Sequence, residues 1–228
     1  MDLSAIVPLP ASVAQNPASA FLPLAGQPPL VRIVRALLDA VTEPGRVVVA
    51  AAEPLVADAR AALADSASVT VAAAERPGSR AQCLRAGLEH LEHQALSTTH
   101  VLIGDIRQPL VSAELCHRVI AGLTDGVTVP ALPVTDSVKA VDANGRVIAT
   151  VDRSTLAAAQ YPRGFAVGPL ASLLSRHTAE DFDEIDEALR AGLPITVVAG
   201  DPDGYRAALP ADAPFLEAVI ASRHQDGN

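Results

Sequence analysis

The sequence is poor in aromatic residues and in lysine. It has no Trp, and Phe, Trp and Tyr together make up 3% of its 228 residues. The core must therefore be built from Ala, Val, Leu and Ile, which suit parallel strands covered on both faces by helices. Lys139 is the only lysine, and the net charge is −9. Because proteins that bind a nucleic acid duplex usually present a basic face, neither nucleic acid nor an anionic membrane is expected as a partner.

Cysteine and long apolar runs are also scarce. Cys83 and Cys116 stand alone in the sequence, without a second Cys or a His at metal-ligand spacing, so neither a zinc site nor a structural disulfide is expected. No run of ~18 apolar residues is free of charge and Pro, so no membrane span is predicted. The first residues lack the basic segment of a signal peptide, and we expect a cytoplasmic location.

The length fits one domain over residues 1–228, in which apolar runs alternate with helical patterns. Strands are predicted at 3–7, 46–51, 68–73, 99–104, 126–132 and 195–199. Helices are predicted at 30–40, 54–64, 80–93, 113–123, 168–176, 183–191 and 211–222. This alternation predicts an α/β fold with a doubly wound, mostly parallel, Rossmann-like sheet.

One segment departs from that alternation. Two short apolar runs, 137–141 and 147–151, flank the turn dipeptide Asn144-Gly145, which predicts a β-hairpin. An isolated hairpin is at best marginally stable, so it must pack on the body of the protein or on another subunit. We assign residues 135–165 to an inserted β-arm.

The candidate ligand site follows from the sheet, because ligands of open parallel sheets bind at the carboxyl ends of the strands. Asp105 directly follows the predicted fourth strand. A carboxylate there could hold Mg²⁺ against phosphates, or it could be an N-cap or turn residue. In the loop before the next predicted helix, Ser79 could cap that helix and Arg80 could face an anion. A plain surface turn is the alternative.

Five pieces of the sequence, in order and spacing, carry a family resemblance. Ser79–Leu88 is similar to an R-x-x-S-V-x-x-G-L helix, and Val101–Val111 to V-L-V-H-D-A-A-R-P. Pro133–Asp142 is similar to P-V-x-D-T-x-K. Val151–Arg153 and Gln160–Phe165 are similar to T-V-x-R and Q-T-P-Q-x-F. With Ala5–Pro8 as the first strand, the chain resembles the cytidylyltransferases that couple CTP to 2-C-methyl-D-erythritol 4-phosphate in isoprenoid synthesis.

The resemblance implies roles for individual residues. The implied Mg²⁺ ligands are Asp105 and Asp203, and the implied nucleotide-binding residues are Pro8, Leu9, Arg80, Cys83 and Asp105. The implied substrate-binding residues are Ser137, Lys139, Arg153 and Asp183, of which Asp183 belongs to the acidic run 180–187. Catalytic roles are implied for Arg153, Arg206 and Ser137. The expected ligands are CTP or another nucleotide and a small phosphorylated polyol. Because Ser137 and Arg153 act from a neighbouring subunit in the family, a homodimer is implied.

The first loop departs from the family pattern P-A-A-G-x-G-x-R-M followed by P-K-Q. Residues 7–22 contain no Gly, Arg or Lys, and Pro8, Pro10 and Pro17 supply no N–H donor. Glycines let backbone N–H groups approach a triphosphate, and cations stabilise charge that develops in transfer. The pattern D-A-A-R-P has also become Asp105-Ile-Arg-Gln-Pro, which moves the Arg by one position.

Two hypotheses follow. The chain is a divergent cytidylyltransferase with reduced or lost activity, or it is a non-catalytic homologue that binds a ligand or a regulatory partner. The retained polar residues Asp105, Arg80, Ser137, Lys139, Arg153 and Arg206 favour an enzyme, whereas the altered loop favours the non-catalytic homologue. A dinucleotide oxidoreductase is disfavoured because no G-x-G-x-x-G follows the first strand.

Overall fold

A computed structural model of the protein describes residues 2–41, 43, 46–66, 68–94, 97–177 and 181–226, with backbone alone for 224–226. The strands are β1 Leu3–Leu9, β2 Val47–Ala51, β3 Val69–Ala73, β4 His100–Ile103, β5 Val127–Pro133, β6 Val138–Val141, β7 Val147–Val151, β8 Ala157–Ala159, β9 Arg163–Ala166 and β10 Ile195–Ala199. The helices are α1 Ala18–Phe21, α2 Pro29–Ala40, α3 Val56–Ala62, α4 Arg80–His93, α5 Ala113–Ala121, α6 Val167–Arg176, α7 Glu184–Arg190 and α8 Ala213–Asp226. Short 3₁₀ turns precede α1 at Ala11–Gln15 and α3 at Glu53–Leu55.

The main sheet has the strand order β10-β5-β9-β4-β1-β2-β3, and β8 pairs with β5 at its side. Strands β4, β1, β2 and β3 run parallel to one another, as do β10 and β5. Helices cover both faces: α2, α3 and α5 pack on one, and α4, α6 and α7 on the other. The predicted mostly parallel, doubly wound α/β fold is confirmed.

Strands β8 and β9 are the main difference from the prediction. β9 runs antiparallel between β4 and β5, and β8 pairs antiparallel with β5. The segment 135–165 is therefore not a single arm, because its last part lies in the main sheet. The two-stranded sheet of β6 and β7 is the separate hairpin, and its turn contains Asn144-Gly145 as predicted. Within the part of the chain that the structure describes, no helix has both the length and the apolar character for a bilayer crossing.

Helix α4 is fixed at its start and again two turns along. Ser79 and Gln82 form a capping box, in which the Ser79 hydroxyl accepts from the Gln82 N–H and the Gln82 amide accepts from the Ser79 N–H at 2.8 Å. Two turns later Gly87 lies against β1, and a β-carbon there would be 2.7 Å from Ile6 Cγ2. This close approach of helix to strand holds Arg80, the first residue of α4, over the sheet edge.

Candidate active site

A cavity of about 950 Å³ opens at the carboxyl ends of β1 and β4. One wall is the first loop, with Pro8, Pro10, Ala11, Ser12, Val13, Asn16 and Ser19. Another is formed by Pro77, Gly78, Ser79 and Arg80, and the remainder by Asp105, Ile106, Arg107, Asp181, Phe182, Asp183, Arg206, Ala207, Ala208 and Leu209. Such a strand-end position is where ligands of doubly wound proteins bind.

The first loop presents no cation to the cavity. It forms the 3₁₀ turn and α1, and the Ala11 N–H donates to the Gly78 carbonyl at 2.8 Å. Pro8 and Pro10 have no N–H, so the part of the loop nearest β1 contributes few donors to an anion. The predicted nucleotide-binding residue Pro8 lies on the cavity wall, whereas Leu9 is fully buried beneath it.

Asp105 lies at the base of the cavity between two arginines. Its Oδ1 accepts from the Arg107 Nε at 2.9 Å and from the Arg107 backbone N–H at 2.9 Å, and its Oδ2 accepts from Arg107 Nη2 at 2.5 Å. Arg80 Nη1 lies 3.5 Å from the same Oδ2. The hydrogen bond from the Arg107 backbone N–H is typical of an Asp in a turn. A turn residue was one of the roles considered for Asp105.

Glu184 forms the centre of a second, deeper ion cluster. Its side chain is fully buried and accepts from Arg80 Nε at 2.6 Å, from Arg163 Nη1 at 2.5 Å and from the Tyr161 hydroxyl at 3.0 Å. The guanidinium of Arg163 also lies over the Tyr161 ring, 4.2 Å from its centroid. Arg80 therefore joins the two clusters, with Glu184 on one side and Asp105 on the other.

The protonation of these groups follows from their partners. Burial opposes ionisation of Asp105, but the hydrogen bond from Arg107 and the charge of Arg80 outweigh it and lower the pKa of Asp105. Burial also opposes the charge on Arg80, yet the charge of Glu184 raises the pKa of Arg80 above its ordinary value. Burial raises the pKa of Tyr161, so its hydroxyl stays a donor to Glu184. Asp105 and Arg80 remain charged at neutral pH.

The structure separates the remaining predicted site residues into three groups. Arg206 and Asp183 line the cavity with Arg80 and Asp105. Asp203 instead forms an ion pair with Arg223 at 3.0 Å, and Cys83 is fully buried in the core rather than on the cavity wall. Burial raises the pKa of the Cys83 thiol to about 12, which keeps it neutral.

The arm residues form the third group. Ser137, Lys139 and Arg153 do not line the cavity of their own chain. Lys139 Nζ donates to Thr150 Oγ1 across the hairpin at 2.9 Å, and Arg153 donates to the Thr135 carbonyl. Glu180, part of the predicted acidic run, lies outside the described residues.

Several polar residues that organise the cavity were not predicted as site residues. Glu184, Tyr161 and Arg163 form the buried cluster. Gln160 donates to the Asp201 and Gly204 carbonyls at 2.8 and 3.0 Å, and thereby fixes the loop that carries Arg206. The sequence signal for this buried network was the Gln160–Phe165 motif. Its polar residues indicate buried hydrogen bonds only when β9 is known to lie inside the main sheet.

Asp105 as placed does not fit the Mg²⁺ ligand that the sequence implied. Both of its carboxylate oxygens already accept from guanidinium groups, and Asp183 is used to cap α7 and to pair with Arg163 at 3.1 Å. Among the residues that the structure describes, no three His, Cys, Asp or Glu side chains are grouped to hold a metal ion. A divalent ion at Asp105 would share the carboxylate with Arg107 or displace this side chain, which is 43% exposed.

A doubly wound sheet with a polar cavity at the carboxyl ends of its strands defines the class of α/β proteins that bind a ligand at the edge of the sheet. Residues 11–222 match the profile of the family described as 2-C-methyl-D-erythritol 4-phosphate cytidylyltransferase. The chain belongs to this family. It is 34% identical over 212 residues to the 2-C-methyl-D-erythritol 4-phosphate cytidylyltransferase of Rhodococcus opacus, with 90% of this chain and 88% of the relative covered.

Two further similarities agree with this assignment. The bifunctional enzyme IspD/IspF of Paracoccus denitrificans is 37% identical over 208 residues, which cover 90% of this chain and 52% of the relative. This chain thus spans about half the length of that bifunctional relative. The crystal structure of 2-C-methyl-D-erythritol 4-phosphate cytidylyltransferase from Thermus thermophilus is 25% identical, with a TM-score of 0.74 and coverage of 97% of this chain and 100% of that chain.

Proposed function

We propose that this chain is a divergent, cytoplasmic cytidylyltransferase of isoprenoid precursor synthesis whose transfer activity is strongly reduced or lost. Its cavity would accept CTP and 2-C-methyl-D-erythritol 4-phosphate, the pair named by the family. The proposed reduction in activity is based on the first loop. This loop contributes no cation to the cavity wall, and its Pro8 and Pro10 have no N–H to donate to the phosphates of a nucleotide.

The pairing of Asp105 supports the same proposal. Arg107 neutralises the carboxylate from within the chain, so the metal-binding role implied by the resemblance would compete with that ion pair. Asp105 is buried, so the incoming ion would have to compensate the charge that the Arg107 guanidinium, which is 43% exposed, now neutralises. The chain's own residues can orient an anionic ligand through Arg206, which is exposed on the cavity wall.

The alternative is a non-catalytic homologue that binds a ligand or a regulatory protein partner. The Arg80–Asp105–Arg107 cluster favours a non-catalytic homologue. The two arginines occupy the Asp105 carboxylate at the base of the cavity, whereas the cavity itself remains open to a ligand. The two functions differ in a measurable way. A slow enzyme releases pyrophosphate, whereas a non-catalytic homologue binds a phosphorylated ligand without turnover.

CTP is expected to bind weakly. Calorimetric titration with CTP in the presence of Mg²⁺ should give a dissociation constant weaker than micromolar, because few N–H groups and no cation of the first loop face the phosphates. The same titration with other nucleotides and with phosphorylated polyols identifies a preferred ligand. A micromolar dissociation constant for CTP would contradict the proposed loss of phosphate binding.

We also propose that the hairpin mediates a homodimer, in which Ser137, Lys139 and Arg153 would reach the cavity of the partner. Exposed apolar side chains on the hairpin support this: Val141, Val147 and Ile148 are 56%, 63% and 66% exposed. Contiguous exposed apolar residues commonly mark an interaction site.

The dimer is expected to dissociate when charge is placed on this hairpin. Light scattering at micromolar concentration should report a dimer for the unmodified chain and a monomer for the double variant Val147→Asp, Ile148→Asp. The control is Leu189→Asp, which introduces one Asp at a side chain that is 63% exposed on α7 and is matched to the single variant Ile148→Asp at a side chain that is 66% exposed. A monomeric unmodified chain, or a dimer that survives the double variant, would rule out this interface.

A further inference from the structure

A second, smaller pocket of about 250 Å³ lies between α2, α8 and the segment after Arg107. Three arginines line it: Arg32 and Arg35 from α2, and Arg223 from α8. Asp39 is an acidic residue of the lining, and most of the other lining residues are apolar. This volume is below the usual range for drug-sized ligands, so the pocket suits a small molecule or ion.

Two of the arginines are held in place by backbone carbonyl groups. Arg32 donates to the Leu24 carbonyl at 2.6 Å and to the Gln27 carbonyl at 3.3 Å. Arg223 donates to the Leu110 carbonyl at 3.1 Å and to Asp203 at 3.0 Å. A guanidinium has five N–H donors, so each retains donors beyond these contacts. The pocket is therefore preorganised and does not depend on flexible surface side chains alone.

The charge of the pocket is unbalanced. The lining contains three Arg and one Asp, which gives 3 − 1 = +2, and inclusion of Asp203, the partner of Arg223, leaves +1. Neither Arg35 nor Asp39 forms an ion pair with any residue that the structure describes. Burial, followed by the charges of Arg35 and Arg223, lowers the pKa of Arg32, so the three cations repel one another. In a chain of net charge −9, this is a local excess of positive charge that an anion would relieve.

We propose that this pocket is a second anion site, distinct from the large cavity, that binds a phosphate or the phosphate group of a small monoester through Arg32, Arg35 and Arg223. Guanidinium groups match phosphate oxygens in geometry as well as in charge. The site needs neither CTP binding nor turnover in the large cavity.

The test is calorimetric titration of the full chain with inorganic phosphate at low ionic strength. Arg35→Gln is the main variant, because Arg35 is exposed and its loss leaves the fold intact; Arg223→Gln is the second. Arg60→Gln on α3 removes one charge from an exposed helical arginine elsewhere, and Arg206→Gln removes one from the large cavity. Each lost charge-assisted hydrogen bond is expected to weaken phosphate binding by about tenfold or more.

The proposal holds if Arg35→Gln and Arg223→Gln weaken phosphate binding, both in the unmodified chain and in the Arg206→Gln background, while Arg60→Gln does not. It fails if the unmodified chain does not bind phosphate, or if Arg35→Gln binds as tightly as the unmodified chain. It also fails if Arg206→Gln alone abolishes binding, which would place the phosphate in the large cavity. A parallel titration with glycerol 3-phosphate separates the sources: tighter binding than inorganic phosphate indicates a monoester, and equal or weaker binding indicates the free ion.

Discussion

Pyrophosphate release from CTP and 2-C-methyl-D-erythritol 4-phosphate is expected to be at least ~100-fold slower with this chain than with a family member whose first loop keeps the glycines, Arg and Lys. Removal of one transition-state donor typically costs ~10²–10³ in rate. Here a whole wall of the cavity, from Pro8 to Ser19, has lost its cations and part of its N–H donors. Such effects do not add simply, so the single-donor figure sets the scale of the expected difference and is not multiplied by the number of missing donors.

A control must show that any residual turnover comes from this cavity. Asp105→Asn removes the carboxylate at its base and should abolish the residual release, whereas Arg60→Gln on α3 should leave it unchanged. Release that is insensitive to Asp105→Asn would remove Asp105 from the mechanism. A rate within tenfold of the family member with the complete loop would refute the proposed reduction, and would mean that Arg206 or Arg107 replaces the missing cations.

Glu184→Ala is expected to lower the free energy of unfolding by ~3–5 kcal/mol, the usual cost of removing one partner from a buried ion pair. The substitution leaves the largely buried guanidinium groups of Arg80 and Arg163 without their shared carboxylate. The Tyr161 hydroxyl loses its acceptor at the same time. Urea unfolding followed by circular dichroism measures the change.

The matched control for this variant lies on the same helix. Asp186→Ala removes an exposed carboxylate from the first turn of α7 and should change the stability by less than ~0.5 kcal/mol. Because Arg80 also lines the cavity, Glu184→Ala should weaken ligand binding as well. Equal stabilities of the two variants would show that Glu184 does not hold the cluster together.

The local patterns of the sequence were sufficient for most of the fold. Apolar runs at 46–51 and 99–104 correspond to strands β2 and β4, and Ser79 caps α4, which was one of the two alternatives considered for its loop. Asp105 and Arg80 were placed at the same edge because the carboxyl ends of parallel strands converge. Each of these inferences depends on a few consecutive residues.

The remaining features depend on contacts between distant residues. Arg80 and Glu184 are separated by 104 positions, and no local pattern indicates that they pair. The segment Arg163–Ala166 has only four residues and contains Arg and Gly, so it does not read as a central strand. It becomes one because it is hydrogen-bonded on both sides, to β4 and to β5. The direction of Cys83 was misjudged for a related reason: the register of α4 turns this residue toward the sheet and away from the cavity.

The position of β9 has a consequence for how the chain folds. The neighbours β3, β2, β1 and β4 all come from the first 103 residues, so this half of the sheet can close as soon as that stretch has been synthesised. β5 follows β4 in the chain, but β9 lies between these two strands in the sheet. β9 begins at Arg163, thirty residues after β5 ends at Pro133. β5 therefore cannot be joined to β4 until β9, the last of these three strands to appear in the chain, is available to pair with both. We therefore expect the second half of the sheet to assemble late, with the hairpin looped out from its centre.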